Sequence, residues 1–190
     1  MTSTRRDVVV RTYGPGHIPP MLDTLADLWS DAHPELVDTP GGSTDGLSAP
    51  ALRRQVMNHL KHEGFTLVAA YSHGAMAGFG YAFPSTPEYW YGELLPHIPQ
   101  HVRAGRLMGL CELAVTPARQ SQGIGSRLHA ELIKAINPEW SSLLVRPDNT
   151  EGHGLYERLG YQYAGPYHNE PGGPVYDLLL LRVDSKPAAR

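Results

Sequence analysis

Apolar and polar positions along the chain follow a two-residue period in some stretches and a helical period in others. Asp7–Tyr13 opens as a strand, with Val8, Val9 and Val10 supplying β-branched bulk before Gly14, Pro15 and Gly16 stop it. Leu22, Leu25, Leu28 and Trp29 fall on one face of a helix that Pro34 is expected to end. After a polar loop over Asp38–Ser48, Leu52, Val56 and Leu60 mark a second helix, with Gly64 as its stop. Phe65–Tyr71 and Ala75–Phe83 read as strands joined through Ser72-His73-Gly74. Gly78 and Gly80 in the second strand mark a close approach by a backbone or a ligand. Pro84–Gly105 combines Pro84, Pro87, Pro96 and Pro99 with Tyr89, Trp90 and Tyr91 and shows no period. Leu107–Val115 is the central strand, and Ile124, Leu128, Leu132 and Ile136 stripe a third helix that Pro138 follows.

The pattern closes with a short strand over Ser142–Val145, a helix over Glu151–Leu159 ended by Gly160, and a hairpin near Tyr161–Tyr167 and Val175–Val183. The tail after Asp184 is expected to fray. The order β-α-α-β-β-β-α-β-α-β-β predicts an α/β (α+β mixed sheet) protein, one mixed sheet with helices on both faces. No repeat or long linker interrupts it. A single domain over residues 1–190, with its core at about 7–183, is the expectation.

Composition narrows the partners. Hydrophobic residues make up 41% and charged residues 18%, which suits a packed core, and the net charge of -3 comes with no basic block. Nucleic acid is therefore not an expected partner, because that affinity rests on neutralising phosphates. Cys111 is the sole cysteine, so no internal disulfide and no cysteine-based zinc site form. His33, His59, His62, His97, His101 and His153 make no ligand-spaced cluster, and no metal is expected. The first residues carry too short an apolar run for a signal peptide, and no stretch reaches transmembrane length. No membrane and a cytoplasmic location are the default expectations.

The candidate chemistry centres on Glu112–Leu132, ELAVTPARQSQGIGSRLHAEL. A Gly-rich corner between a strand and a helix offers outward-pointing N–H groups at the positive end of the helix dipole, a place for a phosphate. The stretch lacks the GxxxxGK[ST] of a nucleotide-triphosphate loop. Its glycines, Gly123-x-Gly125, lie mid-chain without the third glycine of a dinucleotide fingerprint. Gln120-x-x-Gly123-x-Gly125 instead resembles motif A, [RQ]xxGx[GA], of the GCN5-related N-acetyltransferases, the GNAT superfamily. Asn149-Thr-Glu-Gly152-His-Gly-Leu155-Tyr156-Glu-Arg-Leu-Gly160-Tyr161 is similar to that family's NxxAxxFYxxxGF segment.

The resemblance implies a GNAT-like fold, a mostly antiparallel sheet of about seven strands, with acetyl-coenzyme A as acyl donor. By the same resemblance the main chain of Gln120, Ser121, Gln122, Gly123, Ile124, Gly125 and Ser126 holds the pyrophosphate, and Val115 binds the pantetheine arm through its backbone. The central strand splays from its neighbour at Ser142–Val145 to leave a slot for the thioester. Asn149 contacts the pantetheine or the turn beside it, although an Asn in such a turn also serves as a cap. Gln120 and Ser121 stand where Arg and Gly are common in the family, Gly152 replaces Ala, and Leu155 replaces an aromatic.

Tyr156 falls on the family's tyrosine position and is the candidate proton donor to the leaving thiolate, being comparable in acidity to the thiol. Glu112 falls where many members carry a general base; the alternative is a salt-bridged or edge glutamate. Strand alternation puts it on the face of Leu110 and Ala114, which is not plainly polar. His153, three residues before Tyr156, is a minor alternative base. For the acceptor, Trp29, His33, Tyr81, Tyr89, Trp90 and Tyr91 supply aromatic faces, and Asp31, Glu35, Glu88 and Glu93 supply carboxylates. These point to a small-molecule primary amine, antibiotic- or polyamine-like, acetylated by direct transfer in a ternary complex. A protein N-terminus or lysine as acceptor, and a non-catalytic acyl-coenzyme A sensor, are the alternatives. Monomer and homodimer both remain open.

Overall fold

A computed structural model of the chain describes residues 7–37, 48–168 and 172–183. The expected loop over Asp38–Ser48, apart from Ser48, and the tail beyond Asp184 lie outside the described residues. The strands are β1 (Val8–Tyr13), β2 (Thr66–Ser72), β3 (Ala75–Ser85), β4 (Leu107–Val115), β5 (Trp140–Val145), β6 (Gln162–His168) and β7 (Val175–Arg182). They form one seven-stranded sheet in the order β1-β2-β3-β4-β5-β7-β6. All neighbours are antiparallel except β4 and β5, which are parallel. Parallel neighbours need a crossover, and the helix α6 (Ile124–Ile136) supplies it.

The helices α1 (Leu22–Ala32) and α3 (Ala49–His59) cover one face, and α6 covers the other. On β2 the consequence is direct. Leu67 and Ala69 meet the Leu25, Trp29, Leu52 and Val56 side, Val68 and Ala70 meet Leu128 and Leu132, and every one of them is buried. Gly78 and Gly80 let α6 sit close to β3: a Cβ at Gly78 would lie 2.9 Å from the carbonyl of Ala114 and 3.3 Å from Leu128. The close approach expected there is made by the protein itself.

Pro34 ends α1 less by stopping the chain than by starting a new piece, α2 (Pro34–Val37), as proline does at a first helical position. The stretch without period holds two short helices, α4 (Pro87–Tyr91) and α5 (Gln100–Arg103), separated by a 3₁₀ segment over Gly92–His97. Pieces of four to six residues are too short to show a helical repeat, which is why the sequence pattern is blank. The stretch still packs, with Tyr91, Ile98 and Val102 buried against Leu107, Leu178 and Leu180. The remaining helix, α7 (Thr150–Arg158), precedes β6.

Two irregularities interrupt the pairing of β4. Tyr81 pairs with Glu112 and Ala82 pairs with Leu110, leaving Cys111 as the extra residue of a β-bulge. Pairing with β5 stops after Leu107–Trp140, Met108–Ser141 and Gly109–Ser142. From there the two strands part, and among the described residues no strand pairs with the rest of β4 on that side.

Candidate active site

The fork between β4 and β5 is lined by main chain. Thr116 N–H donates to the Ala77 carbonyl at 3.0 Å, so Thr116 faces β3. Because groups alternate along a strand, Val115 and Leu113 turn their N–H and C=O the other way, into the fork. The slot expected beside Ser142–Val145 thus has a strand edge that β5 leaves uncovered; on it the Leu113 N–H donates to the Glu112 carboxyl and the Val115 carbonyl accepts from Gln120.

Beyond Val115 the chain makes a 3₁₀ turn, Pro117–Arg119, and enters the Gly-rich corner. Ser121 has φ of 59° and Gly123 φ of 78°, and Gly123 is the N-cap of α6 with no side-chain cap. The first helical bond runs from Arg127 N–H to Gly123 O, so the N–H groups of Ile124, Gly125 and Ser126 project beyond the helix start. Gly123 is needed for its left-handed backbone and faces open space. Gly125 serves packing, since a Cβ there would lie 3.1 Å from Leu155 of α7. Gln120 reaches back to donate to the Val115 carbonyl at 3.1 Å, and Gln122 donates to Ala118 O at 3.1 Å. The arrangement presents oriented donors to an anion at one end of the fork.

Glu112 lies near the other end. The bulge corrects the alternation expected from sequence: Leu110 packs with the α6 core, whereas Glu112 accepts a hydrogen bond from the Trp29 indole of α1. The residue keeps some exposed surface, yet its carboxyl is enclosed by protein, and desolvation raises its pKa to about 7. That rise survives donors from Leu113 N–H and Trp29, both of which favour the charged form. A carboxylate poised near neutrality suits proton abstraction from an ammonium group.

Tyr156 of α7 sits within electrostatic reach of Glu112 and edge-on to Tyr161, with ring centroids 5.5 Å apart. Burial, then Tyr161 and Glu112, holds its hydroxyl far above the ordinary phenol value. It is a weaker acid than the free phenol expected from sequence, so it keeps its proton at neutral pH. Tyr161 is itself fixed by Ser141 at 2.6 Å and His129 at 2.9 Å, a buried polar cluster that packs β5, α6 and α7 together.

Asn149 caps α7, its Oδ1 accepting from Gly152 N–H at 2.8 Å. A Cβ at position 152 would lie 2.8 Å from Asn149 Nδ2, which gives the reason for glycine there. His153 lies with its Nε2 3.2 Å from Asp177 Oδ2 of β7.

The aromatic candidates separate. Trp29 and Tyr81 are buried in the core, with the Tyr81 hydroxyl accepting from Gln55 at 2.8 Å and lying 3.0 Å from His59 Nδ1. Trp90 is half-buried over Gly109, the last β4 residue paired with β5. His33 lies tilted against Trp29, ring centroids 4.9 Å apart, with its Nδ1 3.4 Å from Glu35. Tyr89 is exposed. Tyr167 of β6 lies within electrostatic reach of Glu93 and Tyr89. Sequence reasoning passed over Leu113, although it lies two residues before Val115 on the same strand edge. It also passed over Gln55, whose contact with Tyr81 depends on packing between α3 and the sheet. Among the described residues no three His, Cys, Asp or Glu side chains gather as a metal would require, and no helix is long and apolar enough to cross a membrane.

This fold is that of solved acetyltransferases. The ribosomal-protein-S18-alanine N-acetyltransferase from Escherichia coli matches with a TM-score of 0.62 at 18% identity, over 96% of this chain and 98% of that one. The PaiA N-acetyltransferase from Thermoplasma acidophilum, solved in complex with coenzyme A, matches with a TM-score of 0.59 at 12% identity, over 93% and 99%. Aminoglycoside 6'-acetyltransferase type Ii matches with a TM-score of 0.61 at 21% identity, over 94% and 99%. No curated protein matches the sequence. A sequence model of the acetyltransferase (GNAT) family matches residues 22–161, and the chain belongs to that family.

Proposed function

We propose that the protein transfers the acetyl group of acetyl-coenzyme A directly to a primary amine of a small cationic molecule. The observation that carries the donor is the fork edge of Leu113 and Val115, which leads through the Pro117–Arg119 turn and the Gly-rich corner to the N-terminus of α6. The coenzyme has amides in its pantetheine arm to meet the strand edge and a pyrophosphate to meet the helix start. The PaiA structure, which has the same fold and was solved with coenzyme A, supports the reading.

In this reading Glu112 takes a proton from the ammonium form of the acceptor, since only the neutral amine has a lone pair to give. The amine nitrogen bonds to the thioester carbonyl carbon, the carbon–sulfur bond breaks, and Tyr156 donates a hydrogen bond to the departing sulfur. Further proton loss from nitrogen balances protonation of the thiolate. Tyr89, Glu93 and Tyr167 supply an aromatic and anionic rim that suits a cationic acceptor.

Titration calorimetry with acetyl-coenzyme A tests the donor, with binding at low micromolar order expected; absence of binding rejects it. An amine panel of aminoglycosides, polyamines and peptides with free N-termini or lysines, read by free-thiol release, tests the acceptor. Turnover confined to peptides replaces the small-molecule reading. Donor binding with no turnover on any acceptor replaces the enzyme with a sensor.

A further inference from the structure

Gln120 occupies the joint between two parts of the site. Its main chain opens the Gly-rich corner, and its side-chain amide donates to the Val115 carbonyl, five residues back, at 3.1 Å. That carbonyl closes β4 and is one of the groups turned into the fork. Gln122, two residues on, braces the loop internally by bonding Ala118 and makes no such link to β4. The loop needs an anchor, because Ser121 holds a left-handed backbone (φ of 59°) that a non-glycine residue adopts only at a cost.

We propose that Gln120 is a positioning residue that couples the two halves of the donor site, so that each half of the donor binds more tightly when the other is present. The proposal rests on the reading of the site as a coenzyme A site. A carbonyl oxygen has two lone pairs, so the bond from Gln120 leaves one free for a ligand in the fork. It also aligns that carbonyl with the loop amides. A phosphate group that orders the loop fixes the Gln120 arm and with it the strand edge. The ordering cost is then met once for both halves, and by linkage the effect is reciprocal.

The test uses the full chain and the donor in two pieces, pantetheine and the phosphoadenosine diphosphate half of coenzyme A. Calorimetry measures the affinity of each alone and with the other saturating. In the wild type each piece is expected to tighten the other by about fivefold or more. Gln120→Met keeps the side-chain length but removes the donor; it is expected to bring that factor to about one. Packing of the Val115 side chain against Gly78 and toward Gly125 holds the strand end in the variant, and a thermal melt checks its folding. Gln122→Met is expected to weaken the nucleotide piece alone and to leave the coupling intact.

Absence of coupling in the wild type overturns the proposal, whatever the variants do. Coupling retained in Gln120→Met overturns it as well. If intact coenzyme A fails to bind the wild type, the donor reading falls and this inference falls with it; if it binds and the pieces are uncoupled, only this inference falls.

Discussion

Tyr81 and Glu112 stand directly opposite each other in the antiparallel β3–β4 pair, while the next pair joins Ala82 to Leu110. The one residue left over, Cys111, decides which way the carboxylate points. It sends Glu112 to the Trp29 indole and leaves Leu110 in the α6 core. A β-bulge re-aims a side chain at small cost to the ladder, and here it puts a carboxylate beside the open fork.

Glu112 predicts the pH profile. Its pKa near 7 means that below that value it carries its proton and cannot accept another. The ratio kcat/KM is expected to rise through an inflection near pH 7 and level off above it. Glu112→Gln is expected to remove the inflection and lower the rate by about a hundredfold to ten-thousandfold. An inflection that persists in the variant belongs to another group. Stability runs the opposite way: between the ordinary value of 4.5 and about 7 the unfolded chain binds fewer protons than the folded one, so ionisation costs stability as pH rises. Urea melts above pH 7 are expected to show Glu112→Gln at least as stable as the wild type.

Tyr156→Phe removes a single hydroxyl from a packed ring. Loss of a hydrogen bond to a charged sulfur is expected to slow turnover about tenfold to a hundredfold. Donor affinity is expected to stay at the wild-type value, because the main chain carries it. Equal losses in turnover and affinity, measured by steady-state kinetics beside calorimetry, would assign the ring to binding instead.

Gly109 ends the β4–β5 pairing under the Trp90 ring. A Cβ there would run into the six-membered ring of that indole, which is too rigid to fold aside. Gly109→Ala is expected to lower stability by about 1–3 kcal/mol, the cost of overpacking, read from the urea midpoint. An unchanged midpoint would show that Trp90 moves freely.

His129 links acid stability to the polar cluster behind the site. Burial lowers its pKa to about 4, against an ordinary 6.5. Between those values the unfolded state binds more protons, so stability is present above 6.5 and is lost as pH falls toward 4. His129→Gln is expected to flatten that loss in urea melts at successive pH values. Some slope will remain, because His59 is also held at about 4 by burial and by His62. A slope identical to the wild type would place the loss elsewhere.

The periodic pattern by itself determined the β4 limits, the Ile124, Leu128 and Leu132 stripe of α6, the last hairpin to within a residue, and the strand–loop–helix corner. Those features are local, set by side-chain period and by turn residues. The family's paired segments at Gln120–Gly125 and Asn149–Tyr161 were legible for the same reason: each is a short run in which backbone shape dictates residue type. Tertiary structure decided the rest. The bulge at Cys111 arises from pairing with β3, so strand alternation counted from Leu110 alone misplaces Glu112. The fork exists because β5 stays paired with β7 after it leaves β4, a partition of hydrogen bonds among three strands distant in the chain. The aromatic residues looked alike in sequence, yet Tyr81 is locked by Gln55 and His59 while Tyr89 faces solvent. Burial sorts side chains by what packs above them, and that is a property of the assembled sheet and helices.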